Sequence, residues 1–273
     1  MASSPKADAY THGHHRSVVA QHARRTAEEA AAFLLPHLKP GMRLLDFGCG
    51  PGSITVGLAA AVSPGQVTAI DVADEVLEEG RRLAAERRFT NVSFEAGTVY
   101  ELAFPDGTFD VAYGHQVLQH LSQPLEALKE LQRVLKPGGL VAVRDSDYST
   151  MPFAPDDPRI DRFFVIYDAV ARRNGGEPNA GRYLRGWLLS TGFTDIQIST
   201  TTWTYVADDE VANWGNSWAD RVLNSNLGKH AIDYGIASVD ELEEIAQAWR
   251  EWTAKPDAFF ALIQVAGLGS KAA

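Results

Sequence analysis

Hydrophobic positions follow two alternating rhythms through the first half of this chain. Short apolar runs at Arg43–Phe47, Gln66–Asp71, Asn91–Glu95, Phe109–Tyr113 and Leu140–Val143 are rich in β-branched and aromatic residues and lie between turn-forming residues, a pattern that predicts strands. Between them, Ser53–Val62, Glu75–Arg88 and Ser122–Leu135 repeat their apolar residues at three- and four-residue steps and predict helices. Ser122 is placed to cap the last of these, with Pro124 in its first turn. Upstream, Val19, Ala23, Ala27, Ala30, Leu34 and Leu38 predict one amphipathic helix over Arg16–Leu38, closed by Pro40-Gly41. Strands alternating with helices at this spacing imply βαβ units and a parallel, doubly wound α/β sheet.

After Asp145 the rhythm loosens. Residues 147–158 are rich in Pro and Asp and predict a loop. Helices follow at Ile160–Arg173 and Tyr183–Thr191, a strand at Asp195–Tyr205, a largely helical stretch over Asp208–Lys255 and a last strand at Phe259–Val265. The chain thus divides into an N-terminal cap segment and helix (1–38), a cofactor-binding α/β core (39–146), and the remainder of the sheet with a helical substrate lid (147–273). Trp203, Trp214, Trp218, Trp249 and Trp252 fall in the last part, where helical spacing points to core packing before ligand contact.

Composition narrows the function. The formal charge of −10 argues against a nucleic-acid partner, and pairs such as Arg24-Arg25 sit in helical patterns that predict solvated faces. Cys49 is the only cysteine, which excludes an intramolecular disulfide. No apolar stretch is long enough to span a bilayer, and residues 1–9 do not resemble a secretory signal, so a cytoplasmic location is expected.

The most specific chemistry lies in Leu44-Leu45-Asp46-Phe47-Gly48-Cys49-Gly50-Pro51-Gly52, a buried strand entering a glycine turn ahead of a helix. Such a turn brings backbone close to a ligand and offers it the free N–H groups of a helix start. A dinucleotide fingerprint would require a third glycine where Ser53 stands. Asp46, near the turn, suits a ligand with ammonium and sulfonium groups better than a pyrophosphate. These features favour S-adenosylmethionine over NAD. An NAD-type oxidoreductase on a related fold and a non-catalytic cofactor-binding scaffold are the alternatives.

With Val67–Asp71, Leu102–Val111 (LAFPDGTFDV), Val117–Leu121 (VLQHL) and Arg133–Gly139 (RVLKPGG), the chain resembles class I S-adenosylmethionine-dependent methyltransferases, within them the small-molecule branch that includes ubiquinone and menaquinone biosynthesis enzymes. The resemblance covers roughly residues 40–145. It implies a Rossmann-like seven-stranded sheet with the last strand antiparallel, and methyl transfer to a small molecule with S-adenosylhomocysteine as product; the lid rich in Trp and Phe would suit a hydrophobic or aromatic acceptor. It also implies that Gly48, Cys49, Gly50 and Gly52 form the loop against the methionine part, held by Asp46. Asp71 would accept both ribose hydroxyls, and Val72 would pack on adenine. Gly97-Thr98 stands where the family usually has an acid after the glycine, leaving backbone groups of Thr98 and Val99 to read the ring. His115 and Gln116 would lie beside the methionine moiety and the reactive methyl.

For a general base the sequence offers His115, His120, Asp145, Asp147 and Tyr148, of which His115 and Asp145 are taken as the catalytic candidates. His12-Gly13-His14-His15 invites a metal, but no spaced carboxylate or cysteine partners it, so no metal is expected.

Overall fold

Leu44–Phe47 (β1) is buried at every position and bonded on both sides, as a run without polar alternation requires. The computed structural model describes residues 8–13 and 15–273. Around β1 lie β2 (Val67–Asp71), β3 (Val92–Ala96), β4 (Phe109–His115), β5 (Leu135–Ser146), β6 (Phe153–Ala154), β7 (Phe193–Tyr205) and β8 (Phe259–Lys271). The order is β3-β2-β1-β4-β5-β8, with β7 on the far side of β8. β1 to β5 pair in parallel, while β8 is antiparallel to both β5 and β7. The expected architecture is therefore present, with the two-residue β6 added. β6 pairs with Phe259 and Phe260 of β8 on the side that β5 takes farther along, because Phe260 meets Tyr205 of β7 on its other side. The segment expected as a plain loop after Asp145 is thus an interrupted strand that resumes.

The helices are α1 (Arg16–His22), α2 (Ala27–Ala30), α3 (Ser53–Val62), α4 (Asp74–Glu86), α5 (Pro124–Val134), α6 (Pro158–Arg173), α7 (Leu184–Ser190), α8 (Asp208–Asn224), α9 (Asn226–Asp233) and α10 (Val239–Thr253). Among the described residues no helix is long and apolar enough to cross a membrane. The tryptophans of α8 and α10 are core residues: Trp214, Trp218, Trp249 and Trp252 are all buried, and Trp218 and Trp249 pack on Phe163 of α6.

Three local expectations need correction. Arg16–Leu38 is not one helix: α1 stops at His22, Thr26 is extended (φ −119°, ψ 162°), and α2 is followed by a 3-10 turn over Leu35–His37. Pro36 sits in that turn, where a continued helix would lose an N–H bond and clash. Ser122 does not cap α5; the helix begins at Pro124 after Gln123, and the N–H of Ser122 donates to Asp8 Oδ1 at 3.0 Å. The strand expected at Leu140–Val143 begins earlier, at Leu135, so Lys136-Pro137-Gly138-Gly139 does not separate it from the helix. Leu135 pairs with Phe109 and Leu140 with Val111, so the four residues between them bulge from β5, with Gly138 at φ +74°.

Candidate active site

The strand order reverses between β1 and β4, and a cavity of about 400 Å³ opens at the carboxyl ends of β1, β2 and β4, where ligands of open α/β sheets bind. The turn after β1 builds one wall. Gly48 (φ +66°) and Gly50 (φ +54°) are left-handed. A Cβ on Gly48 would strike Val117 at 2.5 Å, whereas one on Gly50 would point into open space. Asp71, ending β2, accepts the N–H of Gly50 at 3.0 Å and that of Ala73 at 3.1 Å, which fixes the turn and the carboxylate together. Gly97 donates its N–H to the Asp71 carbonyl at 2.9 Å. Thr98 Oγ1 accepts the Tyr100 N–H at 3.3 Å, so this hydroxyl is already engaged in the local turn.

Asp46 is buried beneath the turn. Burial pushes its carboxyl up to about 7, against the lowering effect of the Thr55 hydroxyl that donates to Oδ2 at 2.6 Å; Asp71 raises it further. Of the sequence-predicted residues, the cavity brings together Asp46, Gly48, Cys49, Gly50, Asp71, Val72, Gly97, Thr98, Val99, His115 and Gln116. Val72 stands 72% exposed at the β2 end. Gln116 (φ +55°) turns its Nε2 toward Ser146 Oγ (2.7 Å) and Gln264 Oε1 (3.2 Å).

Two residues lie elsewhere. Gly52 (φ +75°) is a packing glycine, since a Cβ there would meet the Phe94 ring at 2.8 Å and Gly80 Cα at 2.9 Å. Asp145 is fully buried and outside the cavity wall, its Oδ1 accepting the Gln119 N–H at 3.0 Å and its Oδ2 unpartnered. Burial pushes the Asp145 carboxyl up to about 7, against the lowering backbone bond from Gln119. The folded protein therefore holds this proton more tightly than the unfolded chain, and the residue costs stability increasingly as pH rises from about 4 to about 7. Asp145→Asn keeps the acceptor for Gln119 and removes the charge. We expect it to raise unfolding free energy by roughly 2–4 kcal/mol above pH 7 and by little near pH 4. Urea melts at pH 8 and pH 4 check this, and a loss of stability at pH 8 would contradict it.

His115, at the end of β4, is buried with neither ring nitrogen hydrogen-bonded. Burial first, then Arg25 and Arg144, hold it well below the usual histidine range, so it is neutral near pH 7. Trp203 lies beside it, ring centroids 5.8 Å apart. The other histidines separate. His12 is buried, its Nε2 3.0 Å from the Tyr167 hydroxyl, while His15 Nδ1 lies 3.2 Å from Asp220; His14 falls outside the described residues. His120, held down to about 3 by burial and Arg25, lines the cavity edge. Asp147 instead pairs with Arg182.

The N-terminal segment lies against the cavity: Tyr10 and His12 line it together with His22 and Arg25, which sequence reasoning did not single out, and Asp8 ties the segment across it by accepting from the Tyr100 hydroxyl (2.7 Å) and the Ser122 N–H. Ser53 Oγ donates to the His22 carbonyl at 3.0 Å. Arg25, expected on a solvated face, turns inward because the chain breaks between α1 and α2.

The family model for the methyltransferase domain matches residues 38–162. A Schizosaccharomyces pombe protein described as an uncharacterized methyltransferase is 36% identical over 255 residues, covering 89% of each chain. The chain belongs to the class I S-adenosylmethionine-dependent methyltransferases. This methyltransferase is also similar to the demethylmenaquinone methyltransferase of Staphylococcus aureus, 40% identical over 116 residues that cover 42% of this chain and 47% of that one. The solved YcgJ protein of Bacillus subtilis shares its fold, with a TM-score of 0.61 at 20% identity over 90% of this chain and 99% of that one.

Proposed function

We propose that the methyltransferase binds S-adenosylmethionine along the β1–β2 wall and transfers its methyl group to a small hydrophobic or aromatic acceptor, with His115 as the base. The observation that carries this reading is the neutral His115 ring, unpartnered at both nitrogens in the wall next to the cofactor loop. The cavity fits the cofactor by its donor set. Asp71 offers a carboxylate for ribose hydroxyls, a Gly50 Cβ would fill space a ligand needs, and the buried Asp46 carboxyl beneath the turn is one that a nearby sulfonium would favour in its ionised form.

When bound, S-adenosylmethionine supplies a methyl carbon already activated by sulfonium and leaves as the thioether S-adenosylhomocysteine. The protein's part is to align the acceptor for in-line attack, exclude water and take the proton the acceptor loses. An acceptor hydroxyl beside His115 loses that proton to a ring nitrogen as its oxygen gains the methyl. Tyr10, Tyr100 and Tyr113 in the wall, with Trp203 beside His115, suit an apolar or aromatic ring. Asp145, buried away from the cavity, is the weaker of the two catalytic candidates.

The test is S-adenosylhomocysteine formation with a panel of phenols and quinols against aliphatic amines. Turnover confined to the amines would overturn the acceptor class. With an active phenol, His115→Gln should lower kcat by roughly 10²–10⁴-fold with the Kd for S-adenosylhomocysteine little changed. Asp145→Asn should leave kcat within a few-fold of wild type, and the reverse ranking would transfer the role of base to Asp145.

A further inference from the structure

The short 3-10 turn after β4 carries two cavity-lining residues with different neighbours. Val117, just ahead of it, abuts Gly48 of the glycine turn. His120, at its end, lines the cavity and meets the rings of Tyr10 (centroids 4.9 Å apart) and His12 (5.4 Å) edge to face. His12 in turn lies beside Tyr167 of α6 and Trp218 of α8. His120 therefore stands toward the N-terminal segment and the helices beyond it, while Val117 stands toward the glycine turn.

The hydrogen bonds around His120 place its proton. The backbone N–H of Ser146 can only donate, and it meets Gln119 Oε1 at 3.0 Å, which fixes that atom as the amide oxygen. The other end of the amide is then an NH2 group, a donor only, and it lies 3.1 Å from His120 Nε2. Gln119 is 2% exposed, its own N–H held by Asp145 and its carbonyl by the Glu177 N–H, so the amide keeps this orientation. Nε2 must accept. Burial, then Arg25, keep the ring neutral, so its one proton sits on Nδ1. Nδ1 has no hydrogen-bond partner among the described residues. His120 thus has no free lone pair for a base, in contrast to His115, and offers the cavity an N–H donor.

We propose that His120 is an acceptor-binding residue, its Nδ1–H donating to an oxygen of the methyl acceptor other than the atom methylated. The acceptor is then an aromatic compound carrying a carbonyl or similar oxygen. The proposal rests on the methyl-transfer reading of the cavity and adds a second polar group to the acceptor.

The test is long-range proton–nitrogen NMR on the full protein, labelled at its histidine nitrogens and saturated with S-adenosylhomocysteine. The probes are acetophenone and ethylbenzene, which differ in a carbonyl against a methylene. His120 should carry its proton on Nδ1; a proton on Nε2, a result that needs no variant to fold, would overturn the donor. Acetophenone should move the Nδ1 resonance well beyond any shift caused by ethylbenzene, and equal responses would overturn the contact. His120→Phe keeps a ring against Tyr10 and His12. It should weaken acetophenone binding by at least about fivefold, the size of one lost hydrogen bond, with ethylbenzene and S-adenosylhomocysteine little changed. A folded His120→Phe that binds acetophenone as wild type does would overturn the proposal. Failure of S-adenosylhomocysteine to bind, with acetophenone still moving the Nδ1 resonance, would leave the donor standing and overturn its assignment to a methyl acceptor.

Discussion

Asp71→Ala is expected to weaken S-adenosylhomocysteine binding by at least about 100-fold, since each hydrogen bond to a charged group contributes roughly 1.5–3 kcal/mol and two ribose hydroxyls are at stake. The residue also anchors the glycine turn through Gly50 and the chain beyond β2 through Ala73, so its removal loosens the turn against which the cofactor is proposed to lie. Asp71→Asn keeps one acceptor oxygen and should fall between wild type and alanine. Calorimetric titration with S-adenosylhomocysteine measures the effect directly. An unchanged Kd in Asp71→Ala would mean the ribose is held elsewhere.

The second large effect falls on stability. Trp249 of α10 is fully buried among Phe163, Trp218, Trp252 and Phe260, and it does not line the cavity. Trp249→Ala removes an indole from the centre of the packing between α6, α8 and α10. It should cost roughly 3–5 kcal/mol, the range found for large aromatic residues cut back to alanine. In a chain of this size that lowers Tm by roughly 6–20 °C. Trp249→Phe keeps a ring and removes an indole N–H that has no partner, so it should cost much less. Thermal melts of both variants decide the matter, and equal losses would show that the indole N–H, not volume, matters.

The parallel half of the sheet was legible because its strands are apolar runs ending in special residues. Asp46, Gly48 and Asp71 could be named from spacing alone, and they do share one cavity wall. Gly52 misled for a physical reason. Positive φ is needed both where a ligand approaches and where side chains crowd, and only the Phe94 ring tells the two apart. Asp145 misled differently: it follows a strand end, but the turn at Leu118–His120 folds over it and takes its carboxylate as a backbone acceptor. Arg25 was hidden by apparent periodicity. The alanines of 27–31 extend a helical rhythm across the break at Thr26, yet Thr26-Ala27-Glu28-Glu29 has the spacing of a helix start, a signal that would have placed Arg25 at a bend.

The central position of β8 also sets an order for folding. β7 has no strand neighbour except β8, yet β8 is translated long after it, with α8, α9 and α10 between them. The parallel half, β1 to β5, is closed by connections local in sequence and can assemble while the chain emerges. The half that would meet the acceptor waits for one late strand inserting between two earlier ones. Closing that long loop is entropically slow, and until it happens both β5 and β7 present unpaired edges to any neighbouring chain.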